Sequence, residues 1–383
     1  MIPSSLTRAA WVEIDLDCLA HNMREIRRLV PEPTLVTAVI KANGYGHGAV
    51  AIGQTFLENG ADRFAVATLG EALELRRSFS NTDILILGYV PESGFSALVE
   101  SDIISAVFDV HQAKKLSEEA IRQGRTVRVH IKIDSGMHRL GFGCDDASAE
   151  EIKQIANLPG VSIEGIFTHF AKADESDKTF TETQVRRFTY IVDALKAAQI
   201  EIPIVHAANS AAIIDCPSYH FDMVRAGIIL YGLHPSDAVH KERIDLKPAM
   251  TLKAAVAQTH TIEAGEGVSY GLRFKAEKTT KVATIPIGYA DGFSRRLSGK
   301  AMGLFGKVLT PILGTICMDQ CILSAEGLDL KIGDEITLMG GAGISIDQYA
   351  QWLKTINYEV VCMIRDRVPR IYIKDGRPVD PGL

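Results

Sequence analysis

From about residue 30 to 235, short apolar runs rich in β-branched residues alternate with stretches whose apolar positions recur at helical spacing. The runs end near Ile40, Leu69, Val90, Val110, Ile133, Thr168, His206 and Ile229, which counts eight strands. Between them, Ala49–Glu58, Glu71–Phe79, Gln112–Gln123 and Thr183–Ala198 read as amphipathic helices. Asp17–Val30 is a further helix, with Asp15 or Asp17 as its N-cap. Eight strand–helix units within about 200 residues predict an α/β fold of the TIM-like (β/α)8 barrel type. Alternation alone does not establish closure, so a doubly wound open sheet stays open as the rival.

After Tyr231 the texture changes. Ala254–Ile262, Lys281–Ile287, Val308–Met318 and Glu335–Met339 alternate apolar and polar positions, with Gly/Asp punctuation between them and one helix near Ile346–Lys354. This predicts a mostly antiparallel β domain. The expected division is 1–240 for the barrel and 241–383 for the β domain, with a linker near 236–247. The first run, Trp11–Leu16, is open to pairing with the β domain instead, which would take residues 1–16 out of the barrel.

Composition narrows the function classes. Of 383 residues, 46% are hydrophobic and 23% charged, the balance of a soluble globular chain. The 47 acidic residues outnumber 41 basic ones, and a net charge of −6 argues against a nucleic-acid binder. Met1–Arg8 carries no apolar segment behind a basic cluster, so no signal peptide is expected, and no apolar run reaches membrane-spanning length. Six scattered cysteines without a CxxC pair predict reduced thiols in a cytoplasmic protein and no metal site.

Barrel chemistry sits at the carboxyl ends of the strands, where the βα loops converge. Those ends carry Lys41, Lys132 to Arg139, His169, His206, Asn209, Ser210, Arg225 and Gly227. Such a basic, hydroxyl- and glycine-bearing rim suits a small phosphorylated ligand. Each histidine taken singly reads first as an ordinary hydrogen-bonded residue, and only their joint location at strand ends favours a site. Lys41 closes the apolar run Val36–Ile40 and opens Lys41-Ala-Asn-Gly-Tyr-Gly-His-Gly48, whose glycines let the backbone turn beside a ligand. Burial there would lower its pKa and favour a Schiff base. The residues alone leave that role and a structural lysine both open.

The segment Ala38–Gly48 resembles the cofactor-lysine signature of the alanine racemases. The likeness spans the chain through Ile133–Gly141, Thr168–Ala171, His206–Ser210, Val224–Ile228, Val268–Gly271, Ile285–Gly292, Ile316–Asp319, Asn357–Val360 and Arg367–Arg370. It implies a fold-type III enzyme that interconverts L-alanine and D-alanine with pyridoxal 5′-phosphate, supplying D-alanine for peptidoglycan or catabolising it. By this resemblance Lys41 holds the cofactor as a Schiff base and serves as one catalytic base, and Tyr270 is the other. Arg225 matches the residue at the pyridine nitrogen, and His169 links Arg225 to Tyr270. Tyr45, Asn209, Ser210, Gly227, Ile228 and Tyr358 match the cofactor grip, most of them at the phosphate. Arg139 matches the arginine that reaches both the cofactor's phenolic oxygen and the substrate carboxylate, Met318 matches a residue whose backbone meets that carboxylate, and Lys132 aligns with a lysine often carbamylated. The resemblance further implies a head-to-tail homodimer in which Tyr270 and Met318 come from the neighbouring subunit. Thr315 departs from the pattern, standing where many relatives carry an arginine that lines the substrate corridor. Two rivals remain: another pyridoxal enzyme of the same barrel class, and a non-catalytic carrier built on the barrel alone.

Overall fold

Eight parallel strands close on themselves: β2 (Leu35–Val39), β3 (Arg63–Val66), β4 (Ile84–Ile86), β5 (Ile104–Val107), β6 (Val127–Lys132), β7 (Val161–Phe167), β8 (Ile204–His206) and β9 (Met223–Ala226). The computed structural model describes residues 7–380, so most of the Met1–Arg8 segment read above for a signal peptide lies outside the described residues. Closure is made by β2 against β9, from Leu35 opposite Met223 to Ala38 opposite Ala226, which disposes of the open-sheet rival. Every residue of β3, β4, β5 and β9 is buried, as strands covered on both faces must be.

The helices are α1 (Leu16–Leu29), α2 (Ala49–Glu58), α3 (Leu69–Ser78), α4 (Phe95–Glu100), α5 (Val110–Arg122), α6 (Asp146–Ala156), α7 (Thr179–Ala197) and α8 (Ser210–Asp215). Several strands are shorter than the apolar runs that announced them. Leu69 opens α3 behind a capping box of Thr68 and Glu71, and Val110 opens α5 behind the N-cap Asp109. An apolar residue in a helix's first turn extends the run, so hydropathy cannot mark where extended backbone stops; the cap does. Ile229 lies in the 3-10 turn Ile228–Tyr231, which stands where an eighth post-strand helix was expected.

The other unit is a ten-stranded, mostly antiparallel sheet. It holds β1 (Ala10–Asp15), β10 (Met250–Ala255), β11 (Gln258–Ile262), β14 (Thr280–Ile285), β15 (Met302–Phe305), β16 (Val308–Leu313), β17 (Cys321–Ser324), β18 (Glu335–Met339), β19 (Arg370–Lys374) and β20 (Arg377–Val379). A two-stranded ribbon, β12 (Gly267–Val268) and β13 (Phe274–Lys275), and helices α9 (Ile346–Leu353) and α10 (Asn357–Cys362) complete it. Strand β1 pairs antiparallel with β10 and parallel with β19. The single run Ala254–Ile262 divides in two, because β10 pairs with β18 while β11 pairs with β14.

By compactness, one unit takes Cys18–Gly44 and Ala49–Lys247, and the other takes the described residues up to Asp17, Tyr45–Gly48 and the described residues from Pro248 onward. The short piece Tyr45–Gly48 is held in the β unit by Arg370, whose Nε donates to the Gly46 carbonyl at 3.0 Å. Among the described residues no helix is long and apolar enough to cross a membrane.

Phe64 on β3 is fully buried, edge-on to Phe79 with ring centroids 5.1 Å apart. A Phe64→Ala change should cost about 3–5 kcal/mol. Thermal and urea unfolding should show that loss; a midpoint unchanged from wild type would contradict this packing.

Candidate active site

Lys41 stands one residue beyond the end of β2 and begins a turn of unusual hand. Ala42, Asn43, Gly44 and Tyr45 have φ of 51°, 52°, 61° and 51°. Consecutive left-handed residues cost roughly 1–2 kcal/mol each unless they are glycine or are otherwise held. Here three contacts hold them. Gly44 N–H donates to Ile40 O at 2.8 Å, Ala42 N–H to Glu71 Oε1 at 2.7 Å, and Ala49 N–H to Asn43 Oδ1 at 2.9 Å. A Cβ at Gly44 would fall 2.7 Å from Ile52 Cδ1, so glycine is required there by space as well as by φ. Glu71 works twice, because its other oxygen accepts from Ala67 and Thr68 N–H in the α3 capping box.

Arg225 on β9 is 3% exposed and carries its charge into the barrel mouth. A buried guanidinium needs acceptors for its donors. Nη2 donates to Thr168 O at 2.9 Å, Ala207 O at 3.0 Å and His169 Nδ1 at 3.2 Å, and Nη1 donates to His206 Nδ1 at 2.8 Å. Since a guanidinium only donates, His206 Nδ1 must accept, and its proton sits on Nε2. His206 Nε2–H then donates to His130 Nδ1 at 2.8 Å, and His130 Nε2–H to Glu164 Oε2 at 2.7 Å. Burial pushes His206 well below the ordinary range, reinforced by Arg225, and lowers His130 too, so both rings are neutral links. Glu164 closes the chain as the anion. Burial works to raise its carboxyl, but the His130 hydrogen bond and the Arg63 charge outweigh that and hold it at about 2. Arg63 and Arg128 both pair with it, at 3.0 and 3.1 Å. Burial and then the Arg139 charge push Arg225 itself down to about 9, so it stays cationic at neutral pH.

The rest of the rim is basic. Lys132, at the end of β6, is buried, with Nζ 4.6 Å from the centre of the Phe167 ring. Burial, then the charges of Arg225 and Arg139, push its amine well below the usual lysine range. His169 is driven down by burial and then by Arg225, Lys132, Arg139 and Lys41. Arg139 is exposed on a loop whose backbone is closed by Asp134, which accepts from Gly136 and His138 N–H at 2.9 and 3.0 Å. Asn209 is the N-cap of α8, its Oδ1 accepting from Ala212 N–H at 3.1 Å. Ser210 Oγ accepts from Gly227 N–H at 2.9 Å, so that N–H is already engaged, and Ile228 opens the following 3-10 turn fully buried.

The remaining expected site residues belong to the β unit. Tyr45 and Tyr358 lie there with ring centroids 6.2 Å apart. Tyr270, 71% exposed, and Met318, 51% exposed, line one broad cleft of about 710 Å³ together with Ser269, Leu272, Cys317 and Asp319. Thr315 does not line that cleft. It is buried, and its hydroxyl donates to the Tyr270 carbonyl at 2.9 Å. Among the described residues no group of three or more His, Cys, Asp or Glu is placed to hold a metal ion.

His130, Glu164 and Glu71 were not anticipated from sequence. His130 lies mid-strand in β6, and Glu164 sits in β7 with no motif around it. Only Glu71 left a signal, as the fourth residue of a Thr-x-x-Glu capping box.

Two family models match the chain: "Alanine racemase, N-terminal domain" over residues 14–235 and "Alanine racemase, C-terminal domain" over 249–372. The alanine racemase of Clostridium tetani is 46% identical over 377 residues, covering 97% of each chain. A solved alanine racemase of Clostridium difficile 630 superposes with a TM-score of 0.96 at 41% identity, over 98% of each chain. A structure of the same description in complex with cycloserine superposes at 0.94 with 40% identity, again over 98% of each chain.

Acid should weaken the barrel unit in two windows. His130, His169 and His206 have folded values below that of a free histidine, so the unfolded chain takes up protons first and stability falls as pH drops below about 6.5. Glu164 is held at about 2 against an ordinary 4.5, so its contribution is complete above 4.5 and disappears as pH falls toward 2. Glu164→Gln should flatten the second window while the first persists, read as melting temperature against pH. An unaltered slope between those pH values would show that Glu164 does not carry the charge balance.

Proposed function

The chain belongs to the alanine racemase family, and from that premise we propose that it interconverts L-alanine and D-alanine with pyridoxal 5′-phosphate on Lys41. The observation that carries the reading is the cationic rim of Lys41, Lys132, Arg139 and Arg225 around His169 at the carboxyl ends of the barrel strands. Cations gathered with so little opposing charge suit an anionic ligand, and both the cofactor phosphate and an amino-acid carboxylate are anions. The donor set fits this cofactor. Among the described residues the Arg225 Nε–H makes no hydrogen bond, which leaves it for a ring nitrogen, and Lys41 supplies the amine.

When bound, pyridoxal phosphate supplies the electron sink that makes the substrate α-hydrogen acidic. Arg225 holds the ring nitrogen without yielding its proton, since its own pKa stays above neutral; that restrains the sink and guards against side reactions. Lys41 Nζ and Tyr270 Oη take and return the α-proton on opposite faces, Lys41 on the D-alanine side and Tyr270 on the L-alanine side. The Ser210 hydroxyl and the Ile228 backbone would hold the phosphate, with Gly227 N–H holding Ser210 Oγ until the phosphate displaces it and Asn209 fixing the turn that carries Ser210; by the resemblance Tyr45 and Tyr358 would add their hydroxyls. Arg139 and the backbone of Met318 hold the substrate carboxylate. The Lys132 amine, lowered by burial and its cationic neighbours, would add carbon dioxide at Nζ with loss of one amine proton to solvent, and the carbamate anion would face Arg139.

We read the active unit as a head-to-tail homodimer in which Tyr270 and Met318 of a second copy complete each barrel site. Support comes from the exposure of Tyr270, Leu272 and Met318 together around one open cleft, an apolar surface of the kind that partners cover. Six cysteines scattered along the chain without a CxxC pair suit a reducing, cytoplasmic setting.

Borohydride treatment of the cofactor-loaded protein should leave a pyridoxyl group on the Lys41 peptide, read by mass spectrometry. L-alanine incubated in deuterated water should yield D-alanine labelled at the α-carbon; no label and no D-alanine would refute the activity. Because enantiomers are isoenergetic, kcat/KM is the same from either side, so the two faces are told apart by exchange. Tyr270→Phe should abolish α-exchange of L-alanine while D-alanine still exchanges through Lys41. Equal loss from both would contradict the assignment of faces. Specific activity should also fall on dilution as dimers dissociate; activity per site that is independent of concentration down to demonstrated monomer would refute the shared site.

A further inference from the structure

The turn that carries Tyr270 is held in a conformation its own residues resist. Ser269 on one side has φ of 63° and Leu272 beyond it 44°, both in the left-handed region disfavoured for residues with a Cβ. The Tyr270 ring is exposed, and among the described residues its hydroxyl makes no hydrogen bond. Within this unit, the ring's placement therefore comes through the backbone.

That backbone is stitched to the 314–318 segment in both directions. Thr315 Oγ1 donates to the Tyr270 carbonyl at 2.9 Å. Ser269 Oγ, in return, donates to the Thr315 carbonyl at 2.5 Å and meets Cys317 Sγ at 3.1 Å. The two backbones run in contact at Gly314, where φ is 66° and a Cβ would stand 2.6 Å from Val268 O. Thr315 is 1% exposed, so its hydroxyl has no competing water, and removing it would leave the Tyr270 carbonyl without its side-chain donor.

We propose that Thr315 is a positioning residue for proton transfer on the Tyr270 face: its buried hydroxyl fixes the strained turn, and through it the tyrosine oxygen, relative to the segment that ends in Met318. This rests on the two-base racemase reading above. Thr315 touches neither substrate nor cofactor in this role. Its effect is confined to one face, because Lys41 is set by a separate turn tied to Glu71.

The test is α-exchange in deuterated water, measured separately from each enantiomer with the cofactor-loaded full chain. Thr315→Val keeps the shape and loses the donor. Exchange of L-alanine should fall roughly ten- to hundredfold, the usual consequence of a misplaced catalytic group, while exchange of D-alanine stays near wild type. Thr315→Ser keeps the donor and should restore L-alanine exchange. Should the valine variant not fold, Thr315→Ala against Thr315→Ser isolates the same hydroxyl, with melting temperatures recorded for both. Equal losses from the two enantiomers, or no loss, would overturn the positioning role. Wild-type protein that exchanges neither enantiomer would instead overturn the racemase reading, and this proposal with it.

Discussion

A guanidinium buried at the mouth of a barrel must find acceptors for its donors and an anion for its charge, and much of the site follows from how Arg225 meets both demands. Its acceptors are two carbonyls and two imidazoles. Its nearest carboxylate in the chain of bonds is Glu164, reached through His206 and His130. Placing the anion two rings away has a chemical consequence. A carboxylate directly on Arg225 would neutralise the field at the rim, whereas His206, His169 and two carbonyls satisfy the donors and leave the positive charge at the rim. The direction of every bond is then set by one fact, that a guanidinium cannot accept.

The same economy applies to Lys41. A lysine that holds a cofactor needs a fixed backbone, and a left-handed turn is fixed only while its supports persist. Glu71 ties that turn to the start of α3, so a helix cap and the lysine's position share one side chain. The barrel supplies rigidity by closure, and the loop gains precision by bonding to the next helix rather than by its own propensity.

In the β unit the corresponding device is the reciprocal stitch between Ser269 and Thr315. It couples the segment bearing Tyr270 to the one bearing Met318, so neither residue is positioned alone. Thr315 does this with a short buried hydroxyl that bonds the Tyr270 carbonyl rather than facing the cleft.

Much of the fold was legible along the chain. Apolar periodicity located the eight barrel strands, and the strand-end residues Lys41, Lys132, His169, Ser210 and Arg225 were visible because a barrel's topology assigns chemistry to those ends. Periodicity misjudged element limits at Leu69, Val110 and Ile229, where core-facing residues outlast the strand. It also could not supply closure, which depends on Leu35–Ala38 meeting residues nearly two hundred positions away. The hand of the Lys41 turn was hidden because Ala42 has no left-handed preference and Asn43 only a partial one; the bonds made by the Glu71 and Asn43 side chains hold it. His130 and Glu164 carried no signal, since a polar residue inside a strand is meaningless until its partners across the barrel are known. Sequence by itself therefore determined the succession of strand–helix units, the family and the inventory of reactive groups, because these depend on local patterns and on residue types at defined positions. Only tertiary structure decided which nitrogen of His206 holds the proton, which groups accept from Arg225 and what holds the turn bearing Tyr270, because each is a property of groups brought together by folding rather than of any stretch of chain.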